Sequence, residues 1–188
     1  MQRVRAAMAA DQGALLRGII EADETFIGGQ PRKRNRRKGC KPAKRGRGTS
    51  KTAVIGAVER GGDVKAMVAD DLTGRGILQF IQGAVDPDGS VLISDEYAAY
   101  EAVNPFMPHL AVNHSERYPD CSGGHTNTIE GFWSLLKRAW YGQHHHYHRQ
   151  YSPQKRTLWV YVAEATWKYN HRQDVNGFGS FMRGVFAT

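Results

Sequence analysis

The stretch Asn127-Thr-Ile-Glu130-Gly-Phe-Trp-Ser-Leu-Leu-Lys137-Arg138 places an amide, an acid and two bases within twelve residues. At helical spacing, Asn127, Glu130, Ser134 and Lys137 form one polar stripe. Ile129, Phe132, Trp133, Leu136 and Trp140 fall at i, i+3, i+4, i+7 and i+11 and form an apolar one. An acid and a base two turns apart on one helix face suit a site that binds metal and phosphate together. The carboxylate can hold a divalent cation, and the ammonium can hold a phosphate of DNA running past it. Asp23 and Asp95 each lie in or at the end of an apolar segment far from this helix. Two aspartates and a glutamate from distant parts of a chain are the donor set of a two-metal phosphodiester site. The same helix also has a purely structural reading. Asn127 would be its N-cap and Glu130 the N3 partner of a box-like cap, in a first turn where the dipole favours a carboxylate.

Several elements must position these residues. Residues 18–29 read as a strand ending in a glycine pair, with Asp23 in its middle. Side chains alternate along a strand, so Asp23 and Glu24 are not expected to point into the same site, and the pattern does not say which one does. Thr52 to Glu59 and Val64 to Ala69 read as strands joined by the hairpin signal Arg60-Gly-Gly-Asp63. Thr73 to Val85 is helical, with Ile77, Leu78, Ile81 and Val85 on one side. Val91-Leu-Ile-Ser94 is a short buried-type strand with Asp95 at its end, and Leu110 to Asn113 reads as another. Residues 115–126 read as loop. A last helix begins at Ser152-Pro153, an N-cap followed by proline, with Leu158, Tyr161, Val162, Ala165 and Tyr169 as its apolar stripe. Strand, hairpin, helix, strand, helix is an α/β order with an antiparallel start, and in such sheets ligands gather at strand ends. No internal repeat and no second domain is evident.

Composition narrows the function classes. The 188 residues suffice for one domain with a sizeable core. No apolar run reaches the 18 or so residues of a transmembrane helix. Met1 to Arg17 lacks a signal-peptide core. Cys40 and Cys121 lie 81 positions apart, which is no metal-pair spacing, and they read as free thiols of a reducing cytoplasm. Net charge is +8, and it is uneven. Residues 31–50 hold ten Lys/Arg and no acid, so the rest of the chain carries a net −2. Ten clustered cations repel one another, and a polyanionic partner explains such a segment better than solvation alone. The segment has no apolar periodicity and reads as a mobile basic loop, with Arg34, Arg37, Lys41 and Arg45 as DNA-contact candidates beside Lys137 and Arg138. Phosphate contacts of this kind carry no sequence information.

Four stretches together resemble the catalytic domain of DDE transposases of bacterial insertion sequences, in particular the ISXO2-like group. They are Glu21-Ala-Asp23-Glu-Thr-Phe-Ile-Gly-Gly29, Ser94-Asp95-Glu-Tyr97, the Asn127–Arg138 stretch, and Tyr161-Val-Ala-Glu-Ala-Thr-Trp-Lys-Tyr-Asn170-His-Arg172. The resemblance covers roughly residues 18–173. It implies an RNase H-like α/β fold, a mixed five-stranded sheet with an antiparallel start flanked by helices. It implies Asp23, Asp95 and Glu130 as catalytic metal ligands, and it decides for Asp23 over Glu24. Some relatives place an asparagine in the triad, so Asn127 is an alternative third ligand. Lys137 matches a basic residue seven positions after the third acid. The implied cofactor is a pair of Mg²⁺ or Mn²⁺ ions, and the implied partner is DNA, both element ends and target. The active complex would be a homo-oligomer in the bacterial cytoplasm, associated with the nucleoid.

Full-length relatives carry a zinc-ribbon and helix-turn-helix region upstream. Residues 1–17 therefore read as the remainder of such a region, 18–176 as the catalytic domain and 177–188 as a tail. Two further readings stay open. One is a catalytically inactive DNA-binding relic, and the other is an RNase H-like nuclease or resolvase. The tract His144-His-His-Tyr-His148 reads as an inter-helix connection with a structural or DNA-contact role. His114 stands at a strand end, and either a structural role or a place beside the metal site suits it. Trp133, Trp140, Trp159 and Trp167 lie within helices and read mostly as core, although one of them could stack on a base.

Overall fold

The computed structural model describes residues 2–11, 13–28, 49, 51–112, 125–143 and 154–186. Strand β1 (Ile19–Ile27) is central. It pairs antiparallel with β2 (Thr52–Glu59), from Ile20 opposite Glu59 to Ile27 opposite Thr52. β2 turns at Gly61, whose φ of 77° is left-handed backbone that glycine adopts at no steric cost, and returns as β3 (Val64–Val68). On the other side β1 runs parallel to β4 (Val91–Asp95), which runs parallel to β5 (His109–Val112). The sheet order is β3-β2-β1-β4-β5.

Helix α1 (Gln2–Ala10) comes first, α2 (Gly74–Ala84) connects β3 to β4, and α3 (Asn127–Arg138), α4 (Gln154–Asn170) and α5 (Gly177–Phe186) follow the sheet. A 3-10 helix (Ala98–Val103) lies between β4 and β5. The Thr73 hydroxyl caps α2 by accepting from the Gly76 N–H at 3.3 Å. Caps of this kind contribute about 1 kcal/mol.

Two apolar clusters cover the two faces. Ile20 and Ala22 of β1 pack with Ile77 and Ile81 of α2 and with Tyr100. Ile27 of β1 packs with Ile129, Phe132, Trp133 and Leu136 of α3 and with Leu158 and Val162 of α4. Each fully buried side chain of this size contributes about 1.5–3 kcal/mol. The alternation places Glu21, Asp23 and Thr25 on the α3 side, with Ile27. The predicted apolar stripe of α3 is the buried one. Trp140 continues it within a π-helical turn (Ala139–Gln143) and meets Tyr161 edge-on at 5.3 Å.

α1 lies in the stretch read as the remainder of an upstream region. It packs along α4, where Arg5 stacks 4.3 Å above the Tyr161 ring and pairs with Glu164. α5 falls in the stretch read as a tail. At the sheet edge, the Asn170 side chain grips β3 at both polar groups of Val64. It accepts from the N–H at 2.9 Å and donates to the carbonyl at 3.0 Å. Arg172 donates to the Gly62 carbonyl at 3.0 Å. No helix among the described residues is long and apolar enough to cross a membrane.

Candidate active site

β1 delivers Asp23 to the α3 face, and β4 ends on Asp95. The β1–β4 ladder runs only from Ile19–Val91 to Glu21–Ile93. Past its end, carboxylate oxygens of Asp23, Glu24 and Asp95 lie within 4.8 Å of one another. This corrects the expectation that Asp23 and Glu24 cannot serve one site. The two do leave β1 on opposite faces. With no ladder between β1 and β4 at this level, the longer glutamate side chain reaches round the strand edge. The Tyr100 hydroxyl steadies it by donating to Glu24 Oε2 at 3.4 Å.

Asp23 is half-buried and accepts a hydrogen bond from the Trp133 indole N–H at 3.0 Å. Its carboxyl is pushed above the usual aspartate range, mainly by burial. Hydrogen bonds from the Glu24 backbone N–H and from Trp133 oppose that rise, and the negative charges of Asp95 and Glu130 add to it. Glu130 stands exposed on the first turn of α3, outside the 4.8 Å cluster yet close enough to act on Asp23 by charge. Asn127, one turn earlier on the same face, is also exposed. Trp133 reaches Asp23 because β2 presents Gly56 opposite that residue. A Cβ there would lie 2.6 Å from Trp133 Cη2.

The cap expected of Asn127 and Glu130 is made by other residues. The N-cap position is Thr126, which makes no side-chain cap bond. Glu21 does the capping from β1. Its Oε2 accepts from the N–H groups of Thr128 at 2.7 Å and Ile129 at 3.1 Å, and its Oε1 accepts from the Thr128 hydroxyl at 2.9 Å. Arg60 in the β2–β3 turn donates to Glu21 Oε1 at 2.6 Å and to the His125 carbonyl at 2.8 Å. Sequence reasoning assigned Glu21 no role, because its partners stand 39 and 107 residues away. The one available signal was an acid on the same face as Asp23 in an apolar strand.

Farther along α3, Ser134, Lys137 and Arg138 line a shallow open groove of about 450 Å³ with Tyr141 and Gly142. Lys137 therefore lies on the same helix face as Glu130, two turns on. Arg34, Arg37, Lys41, Arg45, His114 and the tract 144–148 lie outside the described residues. A larger cavity of about 690 Å³ lies between α1, α2, β3 and α4, and none of the site carboxylates lines it.

The sequence model of the ISXO2-like transposase domain matches residues 15–170. The chain belongs to this family. The match spans Asp23, Asp95, Asn127, Glu130 and Lys137. Among solved structures, this transposase domain is similar to a chain of the simian T-cell lymphotropic virus intasome in complex with the PP2A regulatory subunit B56 gamma. The TM-score is 0.51 at 16% identity, over 85% of this chain and 50% of that one. With the strand order and the antiparallel β2, that likeness identifies the fold as RNase H-like. The Mos1 transposase paired-end complex with left transposon end aligns at a TM-score of 0.34 and 12% identity, over 99% of this chain and 60% of that one. A pre-cleavage Mos1 transpososome aligns at 0.35 and 12%, over 100% and 62%. At these scores neither carries an argument of its own. The transposase domain thus spans between 50% and 62% of the length of these structures. Comparison with curated proteins returned no match.

Proposed function

We propose that this transposase domain cuts DNA strands at insertion-sequence ends and joins them to target DNA, using divalent metal held by Asp23, Asp95 and Glu130. The observation that carries the reading is the cluster past the end of the β1–β4 ladder, where Asp23 sits under the charges of Asp95 and Glu130. Carboxylates packed this closely repel one another, and a divalent cation relieves the repulsion. Glu24 adds a further oxygen donor to the cluster. Hard oxygen donors of this kind fit Mg²⁺ or Mn²⁺. A bound pair of such ions would supply activation of the attacking hydroxyl and charge stabilisation at the leaving 3′-oxygen.

The chain's own residues do the rest. The Trp133 indole fixes one Asp23 oxygen and so orients the other. Lys137 and Arg138 hold the phosphates of the strand running along α3, and the basic segment 31–50 holds the flanking duplex. In the first step water attacks the phosphodiester and the P–O3′ bond breaks, leaving a 3′-hydroxyl and a 5′-phosphate. In the second step that hydroxyl attacks a target phosphate, one P–O3′ bond forms as another breaks, and the attacking hydroxyl gives up a proton while the leaving 3′-oxygen takes one from solvent. The active assembly is a homo-oligomer on paired DNA ends in the bacterial cytoplasm.

A strand-cleavage assay with Mn²⁺ on element-end duplexes tests this. The expected result is nicking at the 3′ end of the element in the parent and none in Asp23→Ala. Activity in Glu130→Ala together with loss in Asn127→Ala would reassign the third ligand. Absence of both cleavage and a divalent-induced thermal shift would leave a DNA-binding relic. Cleavage with no preference for element ends would indicate a simple nuclease.

A further inference from the structure

Glu21 has no exposed surface, yet it is an acid in a strand interior. A helix start leaves its first N–H groups without intrahelical partners. In α3 two of these groups, on Thr128 and Ile129, end on Glu21. The carboxylate also meets the positive end of the helix dipole, and Arg60 balances its charge from the β2–β3 turn. His125 Nδ1 lies 3.3 Å from the same oxygen that Arg60 contacts. The strand that carries Asp23 and the helix that carries Glu130 are therefore joined at one side chain. Both lever arms are short, with two residues from Glu21 to Asp23 along β1 and one from Ile129 to Glu130 along α3.

We propose that Glu21 is a positioning residue of the site, the fixed joint that sets the placement of Glu130 and Trp133 against Asp23, with Arg60 as its counter-charge. The proposal rests on the strand-cutting reading of Asp23 and Glu130. A carboxylate suits the joint because Arg60, Thr128 and Ile129 all present donors to it. A glutamine would turn its own N–H₂ group toward one of them. Displacing the joint moves Glu130 and the indole together, and misplacement by about 1 Å can cost on the order of a hundredfold in rate.

The test uses the full chain with Glu21→Gln, Arg60→Gln and, as a control, Glu164→Gln, which breaks the α1–α4 anchor. Two readouts are taken well below each variant's melting temperature. One is the Trp133 indole N–H resonance, assigned with Trp133→Phe. The other is the Mn²⁺ concentration giving half of the thermal shift and half of the single-turnover cleavage rate. Glu21→Gln is expected to move the indole resonance and raise the Mn²⁺ midpoint about tenfold with DNA affinity unchanged, as loss of a supporting contact around a metal site does. Arg60→Gln should move both in the same direction by less. Glu164→Gln should lower the melting temperature and move neither. Should Glu21→Gln fail to fold, Thr128→Val removes one of the joint's bonds and should move the indole resonance on its own. A folded Glu21→Gln or Thr128→Val with the parental indole resonance and Mn²⁺ midpoint would overturn the proposal. Failure of the strand-cutting reading shows separately, as a parent that behaves like Asp23→Asn toward Mn²⁺, and the indole resonance still decides the joint.

Discussion

Glu21 and Asp23 leave β1 on the same face, two residues apart, and meet opposite surroundings. Around Glu21 stand a guanidinium, a hydroxyl and two helix N–H groups. Around Asp23, an indole and a backbone N–H donate, while the nearby charges of Asp95 and Glu130 are negative. One carboxylate is satisfied by the protein itself. The other is held in a place where its charge is disfavoured. A single strand thus carries one acid met by donors and one acid set among like charges, and the neighbours differ where the residue type hardly does.

Alanine substitutions probe the contrast most severely. Asp23→Ala, Asp95→Ala and Glu130→Ala should each reduce cleavage to background while the denaturant midpoint stays near that of the parent. Glu21→Ala should instead cost about 3–5 kcal/mol of stability, the scale for removing one partner of a buried ion pair, read from urea unfolding. Equal stability losses at Glu21 and Asp23 would dissolve the distinction. A milder break is Gly56→Ala, whose Cβ would lie 2.6 Å from Trp133 Cη2 and 3.0 Å from Cζ2. Overpacking there should cost about 1–3 kcal/mol and lower cleavage by separating the indole from Asp23. Parental cleavage in that variant would show that the indole does not hold the carboxylate in its working position.

Much of this was legible beforehand. Thr52 to Glu59 is a strand with the expected ends, and the stripe from Ile129 to Leu136 is the face that α3 buries. Asp95 stands at its strand end because a short apolar run followed by an acid leaves few alternatives. These are local patterns, and period and composition carry them. Glu21, Trp133 and Glu24 were not legible in the same way. Trp133 was read as core, and it is buried, but its indole bonds a residue 110 positions away. Glu24 follows the alternation rule and still joins the site, because the β1–β4 ladder ends before it. No pattern within a strand announces where its neighbour departs. Thr126 is the N-cap position where Asn127 was expected, because the cap bonds come from another strand.

Acidity sharpens the comparison with a smaller effect. The folded state binds the Asp23 proton more tightly than the unfolded chain does, since its carboxyl is raised. That contribution to stability is complete below the ordinary aspartate value of about 3.9 and is lost as pH rises through the elevated folded value. Metal-free protein should therefore gain melting temperature, relative to Asp23→Asn, as pH is lowered from 7 toward the ordinary aspartate value. At pH 7, Mn²⁺ should supply a gain that Asp23→Asn lacks, and Ca²⁺ should do so without turnover. Matching pH profiles for parent and variant would remove Asp23 from the argument. The smallest structural effect is expected from the basic segment. Neutralising Arg34, Arg37, Lys41 and Arg45 should leave the fold intact and flatten the salt dependence of DNA binding by roughly 0.9 in log–log slope for each lost contact. Lys137→Ala should lose little binding but more cleavage, as filter binding beside single-turnover kinetics would show.

The Asn170 side chain has a consequence for how copies of this domain can meet. β3 is an edge strand, and an open edge invites another chain to add a strand to the sheet. The carboxamide occupies both hydrogen-bonding groups of Val64 at the point where an added strand would begin. With Arg172 on Gly62 beside it, the end of α4 acts as a stopper against sheet extension. An added strand would have to displace both contacts, so sheet fusion along this part of β3 is opposed by the chain's own side chains.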